Sequence, residues 1–167
     1  GPKDDAELHL LQLDALLSDA EPDASPATGL ADPDPDTHPL WKVRALATDL
    51  ERWHQSRDEP EAAFEARLSL VRRLAQSFSH DDQQAKLREH LEQRLDQLGK
   101  RLPWWSVGQA DLAEHVRGMD LPGALVQARR LALEGAEAHP KTLGGERCRR
   151  LAEAIEQTSY SIAAMAV

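Results

Sequence analysis

The histidines of this 167-residue chain are the first candidates for chemistry, because imidazole is the commonest protein ligand for metals. A metal site built on helices needs ligands on one face, at spacings of three or four residues. No two of the seven histidines have that spacing; they stand at positions 9, 38, 54, 80, 90, 115 and 139. Glu51 and His54 form one Glu-x-x-His pair where a di-iron bundle needs two, and Asp111 with His115 suits a surface hydrogen bond. The sequence therefore predicts no metal site.

The single cysteine, Cys148, is the next candidate, since a thiolate is a strong nucleophile. It shares the apolar face of a predicted helix with Leu151 and Ile155, where a thiol behaves as a small hydrophobic side chain. No Gly-x-Ser-x-Gly, phosphate-binding loop or dinucleotide fingerprint occurs in the sequence. We therefore predict a buried structural cysteine, no catalytic residue, no cofactor and a protein that is not an enzyme.

Four tryptophans are the remaining candidates, as anchors for a protein partner. Trp104 and Trp105 are adjacent in "LPWWSVG", so they cannot both face the same way, and we expect one to pack beneath a loop and the other to lie near the surface. Trp41 and Trp53 are the other two members of this predicted protein-interaction set. The alternative is that all four fill the core of a body that is otherwise poor in aromatic residues.

Apolar residues at spacings of three and four predict helices throughout residues 39–158. Residues 40–57 form the first, with a buried stripe of Val43, Leu46, Ala47, Leu50 and Trp53. Later helices are predicted to begin at Asp58, near residues 79–82, and at Ser106, Asp120 and Thr142, with breaks at Gly99, Gly118 and Pro140.

The resulting class is all-α, with antiparallel helical hairpins in a repeat-like bundle and a short C-terminal extended segment. The stretch "LPGALVQARRLALEGAEAHP" resembles the second helix of a tetratricopeptide-type hairpin, in which small residues such as Ala128 and Gly135 let helices approach closely. The bundle is therefore expected to be similar to tetratricopeptide repeats.

Charge divides the chain into an acidic leader and a balanced body. Residues 1–40 hold ten acidic residues and one basic residue, and residues 41–167 hold 19 of each, which accounts for the net charge of −9. Residues 1–38 are predicted to be a short helix followed by an acidic, proline-rich flexible linker. The balanced body offers no basic footprint for a nucleic acid, and no apolar run approaches the roughly 18 residues that span a bilayer. The partners that remain are proteins, either neighbouring domains of the same chain or a separate protein or peptide.

Residues 159–167 are predicted to be a strand without a partner, and we expect them to be the truncated first strand of a following domain in a longer protein. The segment before it carries a proline turn, two glycines, a cysteine and helically spaced apolar residues: Pro140, Gly144, Gly145, Cys148, Leu151 and Ile155. This order resembles a junction in large bacterial alpha-2-macroglobulin-like proteins, where a helical region precedes a macroglobulin β-sandwich. Thr158 stands where that family often has a proline.

The resemblance implies a non-enzymatic helical scaffold or protein-interaction domain of a large envelope protein that traps proteases, located in the periplasm or cell envelope. No Cys-Gly-Glu-Gln thioester motif occurs here, so no active residue is carried over. The alternative is a free-standing helical-repeat adaptor that binds a protein or peptide in a groove lined by Trp104 and Trp105.

Overall fold

The computed structural model describes residues 12–19 and 38–167, and every regular element in those ranges is a helix. The elements are α1 (residues 12–17), α2 (Pro39–Ser56), α3 (Pro60–Ser77), α4 (Asp81–Leu98), α5 (Trp104–Arg117), α6 (Ala124–Ala138) and α7 (Leu143–Met165). They divide into two compact units, residues 1–78 and 79–167. The all-α prediction is confirmed, and the repeat-like arrangement stays a prediction. The acidic, proline-rich stretch at residues 20–37 lies outside the described residues.

The first unit is the α2–α3 hairpin with α1 packed on it. Leu13 and Leu16 of α1 are almost completely buried. In α2 the predicted buried stripe is wrong, because Leu46, Leu50 and Trp53 are 71%, 45% and 53% exposed. The buried residues of α2 lie on its more polar face; they are Leu40, Arg44, Thr48 and Glu51.

A buried arginine on α3 explains why α2 turns its polar face inward. Arg67 is 1% exposed, and its Nε and Nη2 atoms donate to Oε2 of Glu51 at 2.9 and 2.6 Å. The same Nη2 lies 2.9 Å from Oδ1 of Asp19, and Nη2 of Arg44 donates to the carbonyl oxygen of Ser18 at 2.8 Å. A buried guanidinium without charged partners costs more free energy than an apolar stripe exposed to water. These contacts therefore determine which face of α2 turns inward.

Three predicted helix starts differ from the observed ones. Asp58 is not the N-cap of α3: its φ is +58°, and Glu59 holds the cap position while its carboxylate contacts His54 and Arg57 at 2.6 and 3.2 Å. Helix α5 begins at Trp104, before Ser106, and α6 begins at Ala124 after an N-cap Gly123, later than the predicted Asp120. The start at Thr142 is confirmed, because its Oγ1 accepts from the backbone N–H of Gly145 at 3.1 Å.

The second unit packs α5, α6 and α7 against one another, with α4 against α5. Small residues permit the close approach, as predicted for Ala128, which is completely buried, and for Gly135, where an added Cβ would collide with Sγ of Cys148. Gly144 abuts the backbone of Val107 in the first turn of α5 in the same way. The adjacent glycines Gly144 and Gly145 therefore serve helix packing as well as the turn before α7.

The predicted C-terminal strand is wrong, because α7 continues through it to Met165. Three hydroxyl groups in the segment donate to carbonyl oxygens four residues earlier: Thr158 to Ala154 at 3.0 Å, Ser159 to Ile155 at 3.1 Å, and Ser161 to Gln157 at 3.0 Å. These bonds satisfy the hydroxyl groups within the helix, and the segment has no glycine or proline to stop it. The strand expected at the macroglobulin junction is thus a helix in this chain.

Candidate functional site

Residues 157–166 form the end of α7 and include its C-cap, and all ten are exposed. We call this segment the α7 extension. The extension contains no charged residue, since the last charge in the chain is on Glu156. Tyr160, Ile162 and Met165 are 69%, 57% and 88% exposed. Exposed helix surfaces normally carry charged residues, and the extension departs from this pattern because it is uncharged and has three large apolar side chains in water.

The extension continues the face by which α7 packs into its own bundle. Cys148 and Ile155 are buried and stand seven residues apart, and Ile162 follows after seven more. Residues at that spacing share one side of a helix. The bundle covers this face of α7 up to Ile155, whereas Ile162 on the same face is exposed to solvent. The extension therefore continues a packing face beyond the part of α7 that the bundle covers.

A shallow groove lies where α6 meets the beginning of the extension, with a volume of about 560 Å³. Its apolar lining comes from four residues: Leu125, Val126, Leu133 and Ile155. Val126 is 75% exposed and Leu133 39%, and Ser159 of the extension closes one side of the groove. The groove and the extension therefore meet at Ser159.

Charged residues line the groove in the middle and in the C-terminal part of α6. Arg129 and Arg130 stand near the extension, and Glu134 and Glu137 are one to two turns further along the helix. Nη2 of Arg129 lies 3.5 Å from Oε2 of Glu156, and Glu134 is held by Lys100 at 3.2 Å. Arg130 is exposed. Of the two arginines that line the groove, Arg129 is therefore paired with Glu156 and Arg130 is accessible to solvent.

The tryptophans predicted as interaction residues are divided between the two units. Trp105 is 7% exposed, with Nζ of Lys100 5.3 Å from its ring centre, and Trp104 is half-buried. Trp41 and Trp53 belong to the other unit; Trp41 is half-buried, and Trp53 is exposed with the Arg57 guanidinium 4.7 Å from its ring centre. Neither Trp104 nor Trp105 lines the α6–α7 groove. A role for the four in protein binding stays a prediction, and Trp53 is the most accessible of them.

Cys148 is held in a state that suppresses thiol chemistry. Its side chain is fully buried, and Sγ donates to the carbonyl oxygen of Ser106 at 3.3 Å. Burial raises the pKa of Cys148 to about 12, so the thiolate is absent near neutral pH. Within residues 12–19 and 38–167, no three His, Cys, Asp or Glu side chains are grouped so that they could hold a metal ion.

Sequence reasoning missed the α7 extension as a surface, although its signal was present. Residues 155, 159, 162 and 166 follow the helical spacing of four, three and four. The segment is predicted as a strand because Ile, Thr and Tyr favour strands when they are considered one by one. The groove on α6 had no comparable signal, since it depends on which face of α6 the bundle leaves uncovered.

Comparison with known proteins does not place the chain in a family. No protein-family model matches the sequence, and no curated protein or solved structure is significantly similar to it. Among the described helices, none combines the length and the apolar character needed to cross a membrane.

Proposed function

We propose that this chain is a non-enzymatic protein-interaction domain that docks through the α7 extension. The observation that carries the proposal is the run of exposed, uncharged residues from 157 to 166 on a helix that is well packed up to Ile155. The partner surface is apolar and helical in this proposal, because the extension offers large and small side chains and no charge to pair. Helical docking of this type uses apolar anchors at spacings of three and four residues, which Ile162, Met165 and Ala166 supply.

The rest of the chain has the features of a support for this surface. Gly135 and Gly144 bring α5, α6 and α7 into close contact, so the part of α7 that precedes the extension is tightly packed. The high pKa of Cys148 argues against a catalytic thiol. Membership of a macroglobulin-like envelope protein is not part of the proposal, because a helix stands where that resemblance required a strand.

Site-specific photo-crosslinking in the cells that make the protein tests the proposal. A photoreactive residue at Ala166, about 40° around the helix from Ile162, is compared with one at Ala164, which is also exposed but lies about 160° from Ile162. The expected result is an adduct at position 166 with one identified polypeptide, lost when Ile162→Glu is added. Equal labelling at both positions, or an adduct that survives Ile162→Glu, would contradict docking through this face.

A further inference from the structure

Resting on the proposed function, we infer that the partner also occupies the α6–α7 groove, as an amphipathic helix with an acidic and a basic side chain two turns apart. The groove meets the α7 extension at Ser159, so a partner that covers the extension reaches α6 at that point. Four residues of α6 form the surface that we call the α6 face: Val126, Arg130, Leu133 and Glu137. All four line the groove, and all four are exposed.

The α6 face has the spacing at which a second helix presents its own side chains. Its four residues are separated by four, three and four positions, and on an α-helix of 3.6 residues per turn they lie within about 60° of one another. They extend over about 16 Å of the helix axis, from the 1.5 Å rise per residue. Helices that dock on a helical surface use anchors at these spacings. The face therefore fits a partner helix of about three turns.

Apolar and charged side chains alternate along the α6 face. Val126 and Leu133, which are 75% and 39% exposed, are the apolar positions and lie two turns apart. Partner side chains that cover them remove apolar area from water, which favours association. The groove volume of about 560 Å³ lies within the range of binding pockets in proteins. The partner helix is therefore amphipathic, with two apolar anchors spaced by seven residues.

The charged positions of the α6 face determine what the partner carries between its anchors. Arg130 and Glu137 are exposed, and neither forms an ion pair with a residue that the structure describes. The other two charged side chains of the groove, Arg129 and Glu134, are engaged by residues of α7 and of the α4–α5 turn at 3.5 and 3.2 Å. The accessible positive and negative charges are thus seven residues apart. A partner helix complements them with a carboxylate opposite Arg130 and a basic side chain opposite Glu137.

The order of these positions gives the partner a sequence signature. Starting at the end of the groove that holds Glu137, the partner carries a basic, an apolar, an acidic and an apolar residue at spacings of four, three and four. A helix with the acid and the base exchanged would place like charges opposite each other at both charged positions, and such pairs repel. The apolar anchors therefore supply attraction, and the charges select the order.

Fluorescence anisotropy of labelled peptides, titrated with the full chain, tests the signature. The matched probe is a helical peptide of Ala and Gln with Lys, Leu, Glu and Leu at spacings of four, three and four, and a second matched probe has the reverse order so that both chain directions are represented. In the exchanged probes Lys and Glu are swapped. We expect one matched probe to bind with a dissociation constant on the order of 100 µM, and its exchanged counterpart to bind about tenfold more weakly, because two surface ion pairs become two repulsions.

Charge-exchange variants show whether the α6 face is responsible for the preference. Arg130→Glu combined with Glu137→Arg reverses both charges, so this double variant is expected to prefer the exchanged probe about tenfold. Arg149→Glu combined with Glu153→Arg is the matched control, since both residues are exposed on α7 and neither lines the groove. The control is expected to keep the wild-type preference within twofold. Circular dichroism verifies that all variants keep their helices.

Two results would overturn the inference. Equal affinity of the matched and exchanged probes for the wild type, or a preference that the Arg130 and Glu137 double variant does not reverse, would mean that charge does not select the partner. Absence of saturable binding by every probe, at chain concentrations up to about 1 mM, would mean that the groove does not dock a helix.

The inference and the proposed function fail in distinguishable ways. A photo-adduct at position 166 that depends on Ile162, together with probes that show no charge preference, overturns the helix signature and leaves docking through the extension standing. Probes that discriminate by charge, without a face-dependent adduct, overturn docking through the extension and support the groove as the docking site. Failure of both experiments overturns both proposals.

Discussion

Nη2 of Arg67 lies 2.6 Å from Oε2 of Glu51, and only 2% and 5% of the two side chains are exposed. This ion pair joins α3 to α2 inside the first unit, and Asp19 approaches the same guanidinium from beside α1. Nη1 of Arg67 is buried with no hydrogen-bond acceptor in the part of the chain that the structure describes. The pair therefore combines strong local attraction with a substantial desolvation cost.

Replacing one partner of this pair is expected to destabilise the first unit strongly. Glu51→Gln keeps the shape and removes the buried counter-charge of Arg67, which we expect to lower the free energy of unfolding by about 3 kcal/mol. Urea unfolding followed by circular dichroism measures the loss, and hydrogen exchange in α2 and α3 localises it. Arg73→Ala is the control, because Arg73 is exposed on α3, the helix that carries Arg67. This substitution is expected to lower the free energy of unfolding by less than about 0.5 kcal/mol.

The double variant Glu51→Leu with Arg67→Met separates specificity from stability. Removing both charges eliminates the desolvation cost and the unsatisfied Nη1 together, so we expect a free energy of unfolding within about 1 kcal/mol of the wild type, or higher. A double variant as unstable as Glu51→Gln would mean that the pair itself supplies net stability, contrary to this account.

The exposed stripe of α2 yields a second prediction. Leu46 is 71% exposed, although its spacing is that of a buried residue, and we expect Leu46→Ser to change the free energy of unfolding by less than about 0.5 kcal/mol. Leu68, completely buried on α3, is the matched control, and Leu68→Ala is expected to cost about 2 to 5 kcal/mol. A large loss from Leu46→Ser would indicate that α2 is rotated from the orientation described here.

For α2 and α3, the sequence predicts that the helices exist but not which face of α2 turns inward. Helical periodicity predicted that α2 and α3 exist and form a hairpin, because it depends only on neighbours along the chain. The side of α2 that faces inward depends on Arg67, sixteen residues after Glu51, and on Ser18 and Asp19, which precede α2. A local hydrophobic pattern contains no information about those distant charged partners, so it selected the wrong face.

The end of α7 shows a different limit. The individual preferences of Tyr160 and Ile162 favour a strand, but a strand needs a neighbour to accept its backbone hydrogen bonds. The helix satisfies those groups within the segment and continues from a stable turn that ends at Ile155, so propagation costs less than a new start. The candidate site was missed for the same reason, since its stripe exists only when the segment is helical.

Close backbone contact at Gly144 gives a third prediction. A Cβ at this position would collide with the backbone nitrogen of Val107, and backbone cannot move aside as a flexible side chain can. We expect Gly144→Ala to lower the free energy of unfolding by about 2 kcal/mol or more. Gly118 is the control: it has an ordinary φ of −81°, and the nearest atom to an added Cβ is 3.6 Å away. Gly118→Ala is expected to be neutral or to stabilise by up to about 1 kcal/mol, and equal losses at both sites would contradict the packing account.

The buried thiol gives a prediction about pH. The pKa of Cys148 is about 12 in the folded chain because burial disfavours the thiolate, and a thiol in an unfolded chain has a pKa of about 8.5. Between those values the unfolded state loses its proton and the folded state keeps it. The stabilisation from this group is therefore fully present below about pH 8.5 and is lost as pH rises towards 12, by at most about 1.4 kcal/mol per pH unit.

Cys148→Ser keeps a small donor that can reach the carbonyl oxygen of Ser106 but does not titrate in this range. We therefore expect the wild type to lose stability relative to Cys148→Ser between pH 8 and pH 10.5, measured by urea unfolding at each pH. Other titrating groups are common to both proteins and cancel in the difference. The native thiol should also react slowly with a disulfide reagent at pH 8, whereas the exposed thiol of Ser159→Cys should react quickly. A difference that stays constant with pH, or a native Cys148 that reacts as fast as position 159, would show that the thiol is not buried as described.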